Sequence, residues 1–111
     1  MARKVSPDMA VRDDDVAFVH ELYARLGTIT HRKMMGGLSI YCDGQIFAIL
    51  SAGGRHYLKA SGAFADEMEA QGSEKFSMGD GKSMNYWTLP DAALDDPELA
   101  ADWGRRALDA L

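Results

Sequence analysis

Cys42, the only cysteine, and the three histidines His20, His31 and His56 are the residues of this 111-residue chain best suited to chemistry. A thiol becomes a nucleophile when a nearby base or cation favours its thiolate. None of the histidines lies beside Cys42 in sequence, so the fold would have to assemble such a pair. A lone cysteine is more often a small apolar packing residue. His31 and Cys42 with an aspartate could in principle hold a metal. The chain has no H-x-x-x-H or C-x-x-C spacing to support that, and no metal is expected.

The glycines of Arg32-Lys33-Met34-Met35-Gly36-Gly37 invite a phosphate-loop reading. Such a loop needs G-x-x-x-x-G-K-[ST] leading into a helix, so that backbone N–H groups and the helix end meet the phosphates. Here the glycines lead into the apolar run Leu38–Cys42, with no Lys-Ser/Thr pair, and a turn or bulge is the expectation. The acidic runs Asp13–Asp15 and Asp95–Asp96 stand where helix N-termini need caps, which explains them without a reaction. No catalytic residue and no cofactor is predicted. Arg32 and Lys33 remain as candidate anion contacts.

Twelve Lys and Arg against seventeen Asp and Glu give a net charge of −5. That balance argues against direct nucleic-acid binding, which needs a clustered basic surface. One cysteine forms no internal disulfide, and nothing points to an oxidising compartment. No apolar run approaches the roughly 20 residues of a membrane span. The start, MARKVSPDMAVRDDD, lacks the apolar stretch of a signal peptide. A cytoplasmic protein with no membrane association is expected.

The positioning elements follow from periodicity. Residues 1–12 read as a poorly ordered lead-in, and 13–111 as a single domain. A first helix starts near Asp13–Asp15, carries Val16, Val19, Leu22, Tyr23 and Leu26 on one stripe, and stops at Gly27. Ile29–Met34 reads as a strand. Leu38–Cys42 and Gln45–Ser51 flank Asp43-Gly44, a dipeptide suited to a type I′ turn. Gly53-Gly54 turns the chain into Arg55–Ala60.

If both turns have two residues, Ile40 faces Phe47, and Ile49 faces both Leu38 and Leu58. Leu38, Ile40, Phe47 and Ile49 then share the core face of a three-stranded meander. The opposite face carries Ser39, Tyr41, Ile46, Ala48, Leu50, Tyr57 and Lys59, too apolar a set for plain solvent. It is the candidate interaction surface, unless a helix of the same chain covers it.

Ser61 begins a second helix with Phe64 and Met68 on one side, ended by Gly72. Phe76 and Met78, then Met84 and Tyr86, flank a turn at Gly79-Asp80-Gly81. A last helix is capped by Asp95 or Asp96, has Pro97 in its first turn, and presents Leu99, Trp103, Ala107, Leu108 and Leu111. The order is α-βββ-α-ββ-α, an α+β fold with helices packed on an antiparallel sheet.

Arg32, Met34, Gly36, Gly37, Tyr41, Asp43, Gly44 and Phe47-Ala48 resemble the R-x-M-F-G-G…Y-x-D-G-x-x-F-A signature of the TfoX N-terminal domain family. Met35 stands where that family usually has Phe. Tyr57-Leu58-Lys59, Phe76, Tyr86…Leu89-Pro90 and Trp103 with Arg106-Ala107 are similar to its later landmarks, so the likeness spans about residues 14–111. It implies a YgaC/TfoX-N-type fold, related to secretion-chaperone-like folds that commonly dimerise, in a bacterial cytoplasmic protein. It also implies action with transcription factors in competence-type regulation rather than catalysis. Larger members carry a further C-terminal helical domain, and a stand-alone domain is expected here.

Two expectations of different class follow. One is a non-catalytic, homodimeric protein-interaction module with a transcription factor or other protein as partner. The other is a small-molecule or nucleotide sensor using Arg32, Lys33, Tyr57 and Lys59. An enzyme built on Cys42 ranks third.

Overall fold

The computed structural model describes residues 12–34, 36–77 and 83–111. Helix α1 spans Asp13–Leu22. Strands β1 (Ile29–Met34), β2 (Gly37–Cys42), β3 (Gln45–Leu50) and β4 (His56–Lys59) follow, then α2 (Gly62–Ala70), β5 (Lys75–Ser77), β6 (Ser83–Thr88), a 3₁₀ turn at Asp91–Ala93, and α3 (Pro97–Asp109). The strands form one antiparallel six-stranded sheet in the order β1-β2-β3-β4-β6-β5. The α+β class stands. Ahead of α2 the sheet has one strand more than α-βββ-α-ββ-α counts, because β1 pairs with β2 over its whole length. Of the lead-in expected over residues 1–12, residues 1–11 lie outside the described residues, as does the turn at Gly79-Asp80-Gly81 with Met78, while Arg12 belongs to the start of α1.

The helix boundaries have local causes. Arg12 is the N-cap of α1, and its N–H donates to the Asp15 carboxylate at 2.9 Å. The helix ends at Leu22, one turn short of the apolar stripe, and Tyr23 to Leu26 continue as turns before Gly27. Ser61 occupies the N-cap of α2, although its hydroxyl makes no cap bond. Asp96 caps α3 by accepting from the Leu99 N–H at 3.2 Å. The buried residues of α3 are Ala100, Ala101, Trp103, Gly104 and Ala107, the expected Leu99 and Leu108 are half-buried against the same core, and Leu111 is exposed.

The Asp43-Gly44 turn forms with both residues at positive φ, +50° and +87°. Cys42 pairs with Gln45, and Tyr41 with Ile46, as a two-residue turn requires. Beyond that the register slips by one. Ile40 faces Ala48 rather than Phe47, and Leu38 faces Leu50, so Phe47 is the extra residue of a β-bulge.

The second turn also differs. Ser51 donates to the Arg55 carbonyl at 2.9 Å, which leaves Ala52-Gly53-Gly54 as a three-residue loop. Ala48 then faces Leu58, and Ile49 faces Tyr57.

These two steps correct the two faces. Ala48 and Leu50, expected outside, belong to the core with Leu38, Ile40, Phe47 and Leu58. Ile49, expected inside, lies on the other face with Tyr57 and Tyr86. The bulge turns both Phe47 and Ala48 toward the helices. Phe47 meets Tyr23 edge-on, 5.0 Å between ring centroids, and reaches α3 beside Gly104, where a β-carbon would lie 3.3 Å from its ring.

Candidate interaction surface

The side of the sheet opposite the main core holds a second, smaller cluster of Ile49, Tyr57 and Tyr86, with Phe76 packed against it. Cross-strand neighbours share a face, so Ser39 and Tyr41 of β2, Ile46 of β3 and Lys59 of β4 belong here too. Phe76 meets Tyr57 edge-on at 5.0 Å, and the Arg55 guanidinium lies 6.0 Å above the Tyr57 ring. Burial, with Tyr41 nearby, raises the Tyr86 hydroxyl pKa above its usual 10.0. The face is therefore only partly open. Ser39, Ile49, Tyr57 and Tyr86 are buried, while Tyr41, Ile46, Lys59 and Phe76 are half-buried and Met34 is exposed. Of the seven residues expected there, five lie on it, and Ala48 and Leu50 do not. Phe76 and Tyr86 were missed because β5 and β6 come from a distant part of the chain.

The proposed sensor residues do not converge. Arg32 pairs with Ser39 and shares the outer face, whereas Lys33 pairs with Leu38 on the core side. Tyr57 and Lys59 lie three strand steps from β1, roughly 14 Å at ordinary strand spacing.

Cys42 is buried at the end of β2, and its Sγ lies 3.8 Å from an Asp43 carboxylate oxygen. Burial first, and then the Asp43 charge and hydrogen bond, push the thiol pKa up and disfavour the thiolate. Asp43 has a different task. Its carboxylate accepts from the Thr28 N–H at 3.2 Å, and its own N–H donates to the Thr28 carbonyl at 2.9 Å, fastening the hairpin to the start of β1.

Two histidines, eleven residues apart, meet. His20 Nε2 and His31 Nδ1 are 2.8 Å apart, so one ring donates its proton to the other and α1 is tied to β1. His56 lies edge-on to Phe18 at 5.5 Å, with its Nδ1 buried and unpaired. It lines a small cavity of about 120 Å³ with Arg55, Thr88, Leu89, Asp91 and Leu94. Among the described residues no three His, Cys, Asp or Glu side chains converge as a metal site would need. No described helix is long and apolar enough to cross a membrane.

No curated protein matches the chain. The family profile described as the TfoX N-terminal domain matches residues 21–111, which take in every strand of the sheet together with α2 and α3. The Asp43-Gly44 turn, the Phe47-Ala48 bulge and Gly37 against the Leu50 carbonyl account physically for much of the signature noted above. The chain belongs to the TfoX N-terminal domain family.

Proposed function

We propose that this protein is a non-catalytic interaction module, homodimeric and working with a protein partner in competence-type transcriptional regulation in the bacterial cytoplasm. The observation that carries the reading is the outer sheet face. Tyr41, Ile46, Phe76 and Met34 leave apolar area accessible around the buried Ile49–Tyr57–Tyr86 cluster. Interface cores are enriched in such aromatic and methionine side chains and poor in charge, with polar residues at the rim. Lys59 supplies a rim charge. Family membership supports an interaction role, and so does the environment of Cys42, which holds the thiol protonated.

Light scattering after size exclusion, combined with capture of partners from the native cell, tests this. Tyr41→Glu and Ile46→Glu should convert a dimer to a monomer or abolish partner capture while the fold persists by circular dichroism. A wild-type monomer whose partner capture survives both substitutions would refute the surface.

A further inference from the structure

Alternation along the first hairpin fixes which backbone groups of β1 face away from the sheet. The Asp43 N–H donates to the Thr28 carbonyl, so these two form a hydrogen-bonded pair one step beyond Ile29 and Cys42. In an antiparallel ladder such pairs recur at every second residue. Thr30, Arg32 and Met34 therefore bond to β2. Ile29, His31 and Lys33 direct their N–H and C=O groups to the opposite side. β1 is the outermost strand on that side, with no described strand beyond it.

The charge at this edge is selective. Arg32 and Lys33 are both exposed and adjacent, and neither is ion-paired among the described residues. Their side chains leave opposite faces of β1, so together they flank the open edge above and below. A second copy adding antiparallel with its two-fold axis at Arg32 or Lys33 would lay one of these cations beside its own equivalent, which is unfavourable. An extended segment with two adjacent acidic residues would place one carboxylate on each face, beside one cation each. The cations sit at this edge in a chain whose net charge is −5, so the local sign opposes the global one.

We propose that the free edge of β1 is a docking site for an acidic extended peptide. The peptide adds as a further strand, with its backbone bonded to Ile29, His31 and Lys33 and its carboxylates beside Arg32 and Lys33. Main-chain bonds supply the affinity and the paired charges select the partner. The site uses the backbone edge of β1 rather than the side chains of the outer sheet face, with Arg32 standing where the two adjoin.

The probe is a fluorescently labelled octapeptide, Thr-Val-Thr-Glu-Glu-Thr-Val-Thr, titrated with the full chain and followed by anisotropy. Saturable binding is expected, weaker by about tenfold for the Lys-Lys analogue. N-methylation of alternate amides should abolish binding in one frame and spare it in the other, because only one set of N–H groups faces β1. The double substitution Arg32→Glu/Lys33→Glu should reverse the preference between the two peptides. Equal binding of both peptides, no saturation, or indifference to methylation in both frames would overturn the proposal.

Discussion

A β-carbon placed on Gly37 would lie 2.2 Å from the carbonyl oxygen of Leu50. Gly37 opens β2 where it passes the end of β3, and the obstructing atom is backbone held by the pairing of Leu38 with Leu50. It cannot swing away as a side chain would. Gly37→Ala should therefore cost about 2–3 kcal/mol, the upper range for overpacking. Gly53→Ala is the control, since its β-carbon would meet nothing nearer than the Ser51 hydroxyl at 3.8 Å. Urea unfolding distinguishes them, and equal midpoints for the two variants would contradict the close approach.

Tyr23 carries a hydroxyl that is fully buried without a hydrogen-bond partner. Burial raises its pKa far above the usual 10.0, so the phenol is neutral at any working pH. The ring contributes by packing edge-on against Phe47, and the oxygen contributes only its lost hydration. Tyr23→Phe keeps the ring and removes the orphan. It should raise stability by about 1 kcal/mol, within the range for an unsatisfied buried group. A lower unfolding midpoint would show that the hydroxyl has a partner in solution.

The sequence marks most of these elements because their signals are local. Asp13–Asp15, Asp96 with Pro97, and Asp43-Gly44 each act within a few residues. Register was harder to read. Ile46 through Leu50 is apolar without a break, so alternation has no phase there, and nothing local says that Phe47 is the extra residue. The choice is made by tertiary space between Tyr23 and Gly104, which only the folded chain creates. The same limit hid the His20–His31 contact and the closing of the outer face by Phe76 and Tyr86.

His56 should make the protein sensitive to mild acid. Burial lowers its pKa below the usual 6.5, against a smaller opposing effect of Asp15. The unfolded chain therefore binds the proton more readily than the folded one. The stability that depends on a neutral His56 is fully present above pH 6.5 and is lost as pH falls through the lowered folded value. Thermal midpoints measured between pH 7.5 and 5 should fall more steeply for the wild type than for His56→Leu. Parallel pH profiles would mean that His56 does not carry the effect.

Arg106 joins α2 to α3 by stacking more than by charge. Its guanidinium lies 4.9 Å from the Trp103 ring centre and 5.3 Å from that of Phe64, while its ion pair with Glu67 is between two largely exposed groups. Exposed pairs are screened and contribute little. A planar cation over two rings contributes by contact as well as charge, and Lys cannot reproduce that geometry. Arg106→Ala and Arg106→Lys should both destabilise by about 1 kcal/mol, the scale of a partly exposed cation–π contact. Glu67→Gln should leave the midpoint nearly unchanged. If Glu67→Gln instead matched Arg106→Ala, or Arg106→Lys retained full stability, then charge alone would hold these helices together and the stacked geometry would be incidental.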